Sequence, residues 1–595
     1  MSIRERNRKK WSDPLIIIIF SLSTSIFGIR CSLAIPRRGN EPWSIILCKF
    51  KDLTDYEPRS REWFQQWLNG SRELDSIEQF FWQLSNGVYS IAGSNVYGWF
   101  TLAQSQKEVL HLATKTVNTR SEIPPIGSEM SFDYFDKVKE LCVQSAIANG
   151  SVLHRQKITV VNAGTAAVYG KRNGVLLTPQ LMFSSVLTHE MVHSFFIGHS
   201  YSDRKIKVFP YAADGEYDDR YDLMSTANAY MHRSNFGMNG PGLNGAHLDY
   251  LGWLPMDRVL YFGRDGRKNF TLRISSLSVP HNKTIGWLLV MVPYDRDDPN
   301  NYYTVELRTP HQFDRGIAQP SILIHKVQRN GDSYYSQLIS QADYYELTDE
   351  NTEWVTFLEP FASATAQNLD SNGQNSMKNF QFIRVTVRHV YLTDADVHIS
   401  STFDPAECHI GERLLRPERW SQPHTIGLRH ICLPRSDAGD ANVGSEETKG
   451  SMKPPSTASR RMVRILNDTE MDKQFARMNF FALRQTYGAN TCRSGFVWRR
   501  LDTYDYVCVT ARRKQNAQQE DKNNANRTTT EQKGETSGPS SNSLCVEPFV
   551  HRKAFPTDKI CVTAAEKFRI FRENLQAYST LKHVSFFNGL DTVGP

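Results

Sequence analysis

Residues 188–200 of the sequence read THEMVHSFFIGHS, with histidines at positions 189, 193 and 199. Residues four apart share one face of a helix, so His189 and His193 can bind one metal ion through their imidazole nitrogens. Glu190 lies beside them, where a carboxylate can hold and deprotonate a metal-bound water. His199 supplies a third ligand if the helix ends and the chain turns back. Three protein ligands leave a fourth position for water, which distinguishes a catalytic zinc site from a closed structural one.

The residues before this motif predict where its helix begins. Thr178 followed by Pro179 is typical of an N-cap and a first helical position. Apolar residues then recur at helical spacing up to the histidines, at Met182, Phe183, Val186 and Leu187. An HExxH sequence alone also arises by accident on charged surface helices, where its histidines bind nothing. A third histidine in register and a capped apolar helix favour a metal site.

Segments further along the chain extend the pattern. Residues 215–225 read GEYDDRYDLMS, residues 240–244 read GPGLN and residues 252–254 read GWL. Together with the histidine motif, these segments resemble the metzincin clan of zinc peptidases, and within it the secreted gametolysin-like and immune-inhibitor-A-like enzymes. The resemblance extends over residues 42–400.

The resemblance implies a fold and a role for each matching residue. It implies an α+β metzincin-like catalytic domain that hydrolyses peptide bonds through Glu-assisted attack of a zinc-bound water. The ligands of one catalytic Zn²⁺ would be His189, His193 and His199, with Glu190 as the general base. Met224 would form the apolar floor beneath the metal. The resemblance gives no indication about structural Ca²⁺.

Two residues of the motif depart from the family pattern. Val192 and Phe196 occupy positions where the family usually has glycine. At position 196 the glycine lets the chain turn sharply out of the helix, in a conformation that is costly for a residue with a Cβ. Gly198, two residues further on, is the candidate to adopt the turn conformation instead. If it does not, His199 would be misplaced. We expect an intact site because every ligand and the base are retained.

Candidate groups for substrate binding flank the motif. Tyr217, Tyr221 and Tyr230 surround the Met224 segment and are candidate donors to a developing oxyanion, and we select Tyr221. Residues 169–177 are a candidate edge strand above the cleft, to which an extended substrate would add as a further strand. The alternative for these residues is an ordinary hairpin around residues 172–174.

Length, charge and the N-terminal residues restrict the class of protein. A chain of 595 residues can hold two to four domains with ample core. The net charge of +7 is spread along the chain without a long basic block, so nucleic-acid binding is not indicated. A basic start, an apolar run over 15–29 and small residues at 32–34 predict a signal peptide and secretion. The alternative, an uncleaved anchor in a membrane, is disfavoured because polar residues shorten the apolar run below ~20 residues.

The cysteines predict disulfide bonds. Without Cys31 in the signal, eight remain, and none has the CxxC spacing of a zinc finger. Two equal loops within an internal repeat of period 53 (545 − 492) predict the bonds Cys492–Cys508 and Cys545–Cys561. Proximity in sequence suggests the further pairs Cys48–Cys142 and Cys408–Cys432. Sequons for N-glycosylation occur at Asn69, Asn149, Asn269, Asn282, Asn467 and Asn526.

Composition and pattern divide the chain into seven segments. Short β-type runs separated by polar turns predict an antiparallel β-sandwich after the catalytic domain. The repeat resembles a small VCVT-type Cys-loop module appended to secreted proteins. The segments are a signal peptide 1–35, a metzincin-like zinc peptidase domain 42–262, a β-sandwich accessory domain 263–405, a Cys pair and polar linker 406–460, Cys-loop module 1 at 461–515, a disordered linker 516–541 and Cys-loop module 2 at 542–595.

Three functions are compatible with these patterns. The leading hypothesis is a secreted zinc endopeptidase that acts on proteins or peptides, including extracellular-matrix or cell-surface proteins. The second is a catalytically silent protein that binds matrix or carbohydrate through its accessory modules; it is supported by Phe196 and opposed by the retained Glu190. The third is a metal-dependent hydrolase of non-peptide substrates, which the spacing alone does not exclude.

Overall fold

The computed structural model describes most of the chain in thirteen segments. The described residues are 35–70, 75–113, 129–170, 174–261, 269–295, 298, 300–358, 381–401, 412–415, 431–434, 488–529, 544–582 and 584–586. The predicted signal peptide therefore lies outside them except for its last residue, Ile35. Among the described residues, no helix combines the length and the apolar character needed to cross a membrane.

A five-stranded sheet forms the centre of the first region. Its strand order is β4-β2-β5-β7-β6, with β6 antiparallel to β7 and every other neighbouring pair parallel. Alternate residues of β2 enter two different apolar clusters, as expected for a parallel strand that is covered on both faces. The elements are β1 Gly39–Asn40, β2 Trp43–Lys49, α1 Arg61–Asn69, α2 Ile77–Leu84, β3 Tyr89–Ser90, β4 Asn95–Thr101, α3 Gln106–Ala113, α4 Glu129–Ala148, β5 Gln156–Val161, β6 Ala167–Gly170 and β7 Gly174–Leu177.

The folded first region includes residues before the predicted boundary at 42. Ile35 and Arg37 are buried, and Gly39 pairs with Tyr89 in a short parallel ladder. The indole of Trp253 donates to the carbonyl of Arg37 at 2.8 Å. These contacts join residues 35–41 to the first region, and four of the seven residues are buried.

The helix of the histidine motif, α5, begins later than predicted. It spans Ser184–His193 with Phe183 as its N-cap. Thr178 and Pro179 begin a separate 3₁₀ turn, Pro179–Leu181, and the Thr178 side chain makes no capping hydrogen bond. The predicted start was wrong because the backbone returns to an extended conformation at Phe183, with φ −143° and ψ 157°, before α5 begins.

Two further sheets follow α5 and pack on one another. The larger has the order β11-β13-β14-β15-β16-β8 and the smaller the antiparallel order β12-β19-β18-β17. The rings of Tyr303 and Trp354 meet across them at 5.1 Å. The elements are β8 Tyr201–Ser202, β9 His232–Ser234, β10 Gly237–Asn239, α6 Gly245–Leu251, β11 Val259–Tyr261, β12 Asn269–Ser275, β13 Leu289–Pro293, β14 Tyr302–Arg308, β15 Ser321–Asn330, β16 Ser333–Leu338, β17 Glu353–Leu358, β18 Gln381–Val390 and β19 Asp394–Ser401.

The larger sheet also takes strands from the predicted zinc peptidase domain, residues 42–262. β8 follows directly after His199 and pairs in parallel with β16, while β11 pairs in parallel with β13. One cluster of buried apolar side chains includes Trp43 of the first sheet and Val385 of the four-stranded sheet. The two predicted domains thus share one core across the predicted boundary at 262.

The C-terminal repeat has the same local structure in both copies. Each copy has a short hairpin, a disulfide across a separation of 16 residues, Cys492–Cys508 or Cys545–Cys561, and a helix after the second strand. Each also carries a buried bidentate Arg–Asp pair six residues apart, Arg499–Asp505 and Arg552–Asp558. Both predicted disulfides are formed. The elements are β20 Glu412–Leu415, β21 Ile431–Pro434, β22 Val497–Trp498, β23 Cys508–Val509, α7 Ala511–Asn523, β24 Thr528–Thr529, β25 Leu544–Cys545, β26 Val550–His551, β27 Cys561–Val562 and α8 Ala564–Gln576.

The segment predicted as a disordered linker is helical in its first part. Helix α7 runs to Asn523, a 3₁₀ turn continues to Arg527, and residues 530–541 lie outside the described residues. The Thr510 hydroxyl caps α7, and Arg513 at its start pairs with Glu566 of α8 at 2.5 Å. The prediction was wrong because contacts with the second module stabilise a polar sequence that has little apolar surface of its own.

Candidate metal centre

Helix α5 and the loop after it bring the three histidines together. One potential ligand nitrogen from each of His189, His193 and His199 lies within 4.8 Å of the other two. Nε2 of His189 is 3.1 Å from Nε2 of His193. Nitrogens that bind zinc tetrahedrally at about 2.0–2.1 Å lie about 3.3 Å apart. The distance between the two Nε2 atoms is therefore close to that between two nitrogen ligands of one zinc ion.

A hydrogen bond from Nδ1 orients each imidazole. The three bonds are His189 to the carbonyl of Leu223 at 3.0 Å, His193 to the carbonyl of Ile197 at 2.8 Å and His199 to Oε1 of Glu216 at 2.6 Å. These acceptors favour the tautomers in which Nδ1 carries the proton and Nε2 does not. Metal-binding histidines are usually held in this way by carbonyl or carboxylate acceptors.

Burial keeps the three imidazoles neutral. Burial lowers the pKa of His189 to about 4, against the opposing effects of the Leu223 carbonyl and of Asp222. The pKa values of His193 and His199 lie well below the ordinary value, first because of burial and then because of neighbouring histidines. Neutral imidazole is the form that binds a metal, so the side chains are in the required state at neutral pH.

The carboxylate of Glu190, the residue after His189 in α5, is fully buried. Neither oxygen makes a hydrogen bond of normal geometry with the described residues. Burial raises the pKa of Glu190 to about 8, opposed by the charge of Lys139 and by the backbone of Tyr169. Lys139 is itself buried and pairs with Asp136 at 2.8 Å. A buried carboxyl group whose oxygens lack well-formed hydrogen bonds is costly, so this group fits a site where water and a cation complete its surroundings.

The chain leaves α5 through a left-handed residue. Phe196 adopts φ +62°, a conformation that costs a residue with a Cβ about 1–2 kcal/mol. Gly198 does not take over the turn, since it is not among the residues with positive φ. The expectation that Gly198 forms the turn was wrong. His199 is nevertheless not misplaced, because it still lies with the other two histidines.

A tight turn at Met224 supports two of the ligand segments. The 3₁₀ turn Leu223–Ser225 is capped by Asp222, whose Oδ1 accepts from the Met224 N–H at 2.7 Å. The Leu223 carbonyl orients His189, and the N–H of Ser200 donates to the carbonyl of Met224 at 3.4 Å. Met224 itself is buried in the main core.

Buried ionisable groups join this turn to the larger sheet. Their pairs are Asp222–His247 at 2.9 Å, Asp219–His325 at 3.0 Å, His325–Glu306 at 3.7 Å, Arg308–Glu306 at 3.5 Å and Arg308–Asp314 at 2.7 Å. The aspartates at 219 and 222 come from the segment of the turn, whereas His325 and Arg308 lie on β15 and β14. The larger sheet therefore supplies a countercharge to the turn segment, through the pair of His325 with Asp219.

Tyr217 lies next to the histidines, whereas Tyr221 does not. The hydroxyl of Tyr217 is 3.0 Å from Nε2 of His199. The hydroxyl of Tyr221 donates to Oε1 of Glu346 at 2.6 Å, and its ring belongs to a separate apolar cluster with Tyr230 packed against it. The structure therefore favours Tyr217 over the selected Tyr221 as a donor to substrate.

The sequence did not identify Glu216 or Lys139 as part of the site. A carboxylate that holds a ligand histidine is a common arrangement, and the acidic run after His199 contained that signal. The run offers Asp214, Glu216, Asp218, Asp219 and Asp222, however, and spacing alone does not tell which one meets the imidazole. The outcome depends on how the segment folds back along β8.

The remaining cysteine predictions have different outcomes. Cys48 and Cys142 are buried free thiols in the cluster between β2 and α4, so the predicted bond between them is not formed. Burial raises the pKa of Cys142, and the adjacent Cys48 side chain raises it further. The pair packs as two small apolar side chains. Cys408 lies outside the described residues, as does the side chain of Cys432 in β21, so their pairing stays a prediction.

The asparagines of five of the six sequons lie in the described residues. Four of their asparagines are exposed: Asn149, Asn269, Asn282 and Asn526. Asn69 is half-buried, and its side-chain amide donates to the carbonyl of Ser94 at 3.3 Å, which leaves it less accessible. Asn467 lies outside the described residues.

Comparison with known proteins identifies no family. No protein-family model matches the sequence, and no curated protein matches it. The resemblance to the metzincin clan therefore stays a prediction that rests on the motifs of residues 188–254.

Proposed function

We propose that the protein is a zinc-dependent endopeptidase that acts outside the cell. The observation that carries the proposal is the cluster of three neutral, oriented imidazoles beside the buried carboxyl group of Glu190. Three imidazoles with an open fourth position form a donor set that suits catalytic zinc. Extracellular action is supported by the two disulfides of the C-terminal repeat, because such bonds persist in oxidising compartments.

The residues around the cluster supply the proton transfers and orientation of a peptidase. Zinc, when bound here, supplies the Lewis-acid polarisation that makes water nucleophilic near neutral pH. Glu190 accepts the proton of the attacking water and delivers it to the leaving amine. The Tyr217 hydroxyl donates to the carbonyl oxygen of the scissile bond as negative charge develops there.

The edge strand beside α5 favours a peptide as the substrate. The prediction of one edge strand over residues 169–177 was wrong: β6 and β7 pair as the antiparallel hairpin that was its alternative, and β7 lies inside the sheet. The outermost strand is β6, and the backbone of Tyr169 within it lies near Glu190. An extended peptide can add to such an edge through main-chain hydrogen bonds, which positions a peptide bond at the carboxyl group. A non-peptide substrate would gain nothing from this edge. The argument for a silent binding protein is weakened because Phe196 does not displace His199.

The test compares the purified parent protein with Glu190→Ala and with Glu62→Ala, which removes an exposed carboxylate far along the chain. Zinc content is measured by elemental analysis, and cleavage is measured on a mixed peptide library. We expect one zinc per chain in all three proteins and cleavage in all but Glu190→Ala. Zinc without cleavage in the parent would favour the silent binding protein, and absence of zinc from the parent would contradict the proposal itself.

A further inference from the structure

A short C-terminal segment, residues 584–586, lies against the loop that carries the third histidine. We name this segment the strap. The N–H of Gly198 donates to the carbonyl of Phe586 at 2.8 Å, and Ile197 forms a parallel bridge with Phe586. The two segments are 388 residues apart in sequence (586 − 198). The contact is therefore a long-range feature that ties the end of the second Cys-loop module to the metal centre.

The strap is itself anchored to the body of the protein. The N–H of Tyr334 on β16 donates to the carbonyl of Ser585 at 2.6 Å. The Phe586 side chain is 2% exposed. Its ring packs against those of His247 and Tyr250 on α6, with centroid distances of 5.7 and 5.3 Å. The strap thus connects the loop that carries the third histidine to two elements that do not themselves contain a ligand.

The loop of residues 194–199, which we call the histidine loop, depends on contacts with other segments more than α5 does. His189 and His193 are held by α5, whereas His199 depends on a loop that passes through the left-handed Phe196. Arg37 fixes the first part of this loop, because its guanidinium donates to the carbonyl of Ser194 at 2.8 Å. The strap fixes the second part, at the two residues directly before His199.

We propose that the strap is a positioning element of the metal centre and that Phe586 is its anchor. The inference rests on the proposed zinc-binding function. Docking of Phe586 holds residues 197 and 198 in the conformation that brings His199 to the other ligands, and it offsets the unfavourable backbone of Phe196. Because coupling between two binding events is reciprocal, zinc binding stabilises the docked strap as much as the docked strap stabilises zinc binding.

The first test compares Phe586→Ala with Phe571→Ala, which removes a half-exposed phenylalanine from α8 in the same module. Zinc affinity is measured by competition with a chelator. Loss of groups that orient metal ligands typically weakens metal binding 10- to 100-fold, and we expect Phe586→Ala to fall in about that range. Phe571→Ala should bind zinc as the parent does.

If Phe586→Ala does not fold, Phe586→Leu replaces it in the test. Leucine keeps most of the apolar volume, so this variant should weaken zinc binding to a smaller extent. Equal zinc affinity in the parent and the folded Phe586 variant would overturn the proposal.

A second measurement separates the strap from the proposed function. Amide hydrogen exchange of the metal-free proteins reports on the loop without requiring zinc. We expect faster exchange at residues 197–199 in Phe586→Ala than in the parent or in Phe571→Ala, and slower exchange around residues 584–586 of the parent when zinc is added. A parent that binds no zinc would contradict the proposed function, whereas unchanged loop exchange in Phe586→Ala would contradict the strap.

Discussion

The hydroxyl of Tyr217 lies 3.0 Å from Nε2 of His199, the imidazole nitrogen that carries no proton when Nδ1 donates to Glu216. Tyr217 holds this position with a left-handed backbone, φ +61°, and its N–H donates to the carbonyl of Ser200 at 3.0 Å. Strained conformations of this kind cost about 1–3 kcal/mol and persist where the surrounding structure fixes them, often at functional sites. The position of the Tyr217 hydroxyl and the strained backbone that holds it are the basis for the prediction that this hydroxyl acts in catalysis.

Removal of that hydroxyl should slow catalysis without releasing the metal. For Tyr217→Phe we expect kcat to fall by about 10²-fold, the effect of losing one donor to an oxyanion, while zinc affinity stays near that of the parent. Steady-state kinetics on a cleaved peptide and chelator competition measure the two quantities. Tyr221→Phe is the matched control, since its hydroxyl bonds to Glu346 instead. Equal losses of kcat in both variants would contradict the role of Tyr217.

Glu216 should control zinc affinity through His199. Glu216→Gln keeps the shape of the side chain but replaces a charge-assisted hydrogen bond with a weaker neutral one. We expect zinc binding to weaken by about 10- to 100-fold, as for other groups that orient a ligand histidine. Chelator competition at constant pH measures the effect. Asp214→Asn changes an exposed carboxylate two residues away and should leave affinity unchanged; a similar loss there would indicate a general effect of charge.

The buried His325 should make stability depend on pH. Burial alone would lower its pKa, but the charges of Glu306 and Asp219 outweigh burial and raise the pKa above the ordinary value. A group whose folded pKa is raised stabilises the protein fully below its unfolded pKa and loses this contribution as the pH rises through the folded value. For His325→Gln we therefore expect a larger loss in the free energy of unfolding at about pH 6 than at about pH 9.

Urea unfolding at each pH measures this difference, and His281→Gln provides a contrasting control. Burial, and then the charge of Arg258, lowers the pKa of His281 to about 3. A lowered histidine pKa makes the folded state less stable as the pH falls, which is the opposite dependence. The loss in the free energy of unfolding for His281→Gln should therefore be no larger at about pH 6 than at about pH 9. The same pH dependence in both variants would show that the charges around His325 are not its cause.

The cysteines should fall into two classes by reactivity. Cys48 and Cys142 are buried free thiols, so a maleimide should label them after unfolding without a reductant. The cysteines of the two C-terminal bonds should be labelled only after reduction. Peptide mapping by mass spectrometry distinguishes the classes. Labelling of Cys48 and Cys142 only after reduction would mean that they are bonded in the protein.

Local sequence patterns predicted the parts of this structure that depend on local chemistry. The spacing of His189 and His193 follows from helix geometry, and the equal cysteine loops follow from the repeat. The short β-type runs after the histidine motif also form strands of the later sheets, such as Tyr302–Arg308. Each of these features is decided by residues that are near one another in sequence.

The features that sequence did not predict depend on contacts between distant residues. The left-handed Phe196 is accompanied by the Gly198–Phe586 bond, and nothing near residue 196 indicates that partner. The polar helix α7 is ordered by pairs such as Arg513–Glu566, and composition alone suggested a disordered linker. The choice of Glu216 among five nearby acidic residues is likewise made by the fold of the whole segment.

The hydrogen bond between His325 and Asp219 joins two side chains that are 106 residues apart and fully buried. A piece of the chain that ended at residue 262 would retain the aspartate and lose the histidine that neutralises it. Unpaired buried charge is strongly destabilising, so such a piece could not be exchanged freely between proteins by recombination. The two regions would therefore have to be exchanged together, because replacing either Asp219 or His325 leaves the other without this buried partner.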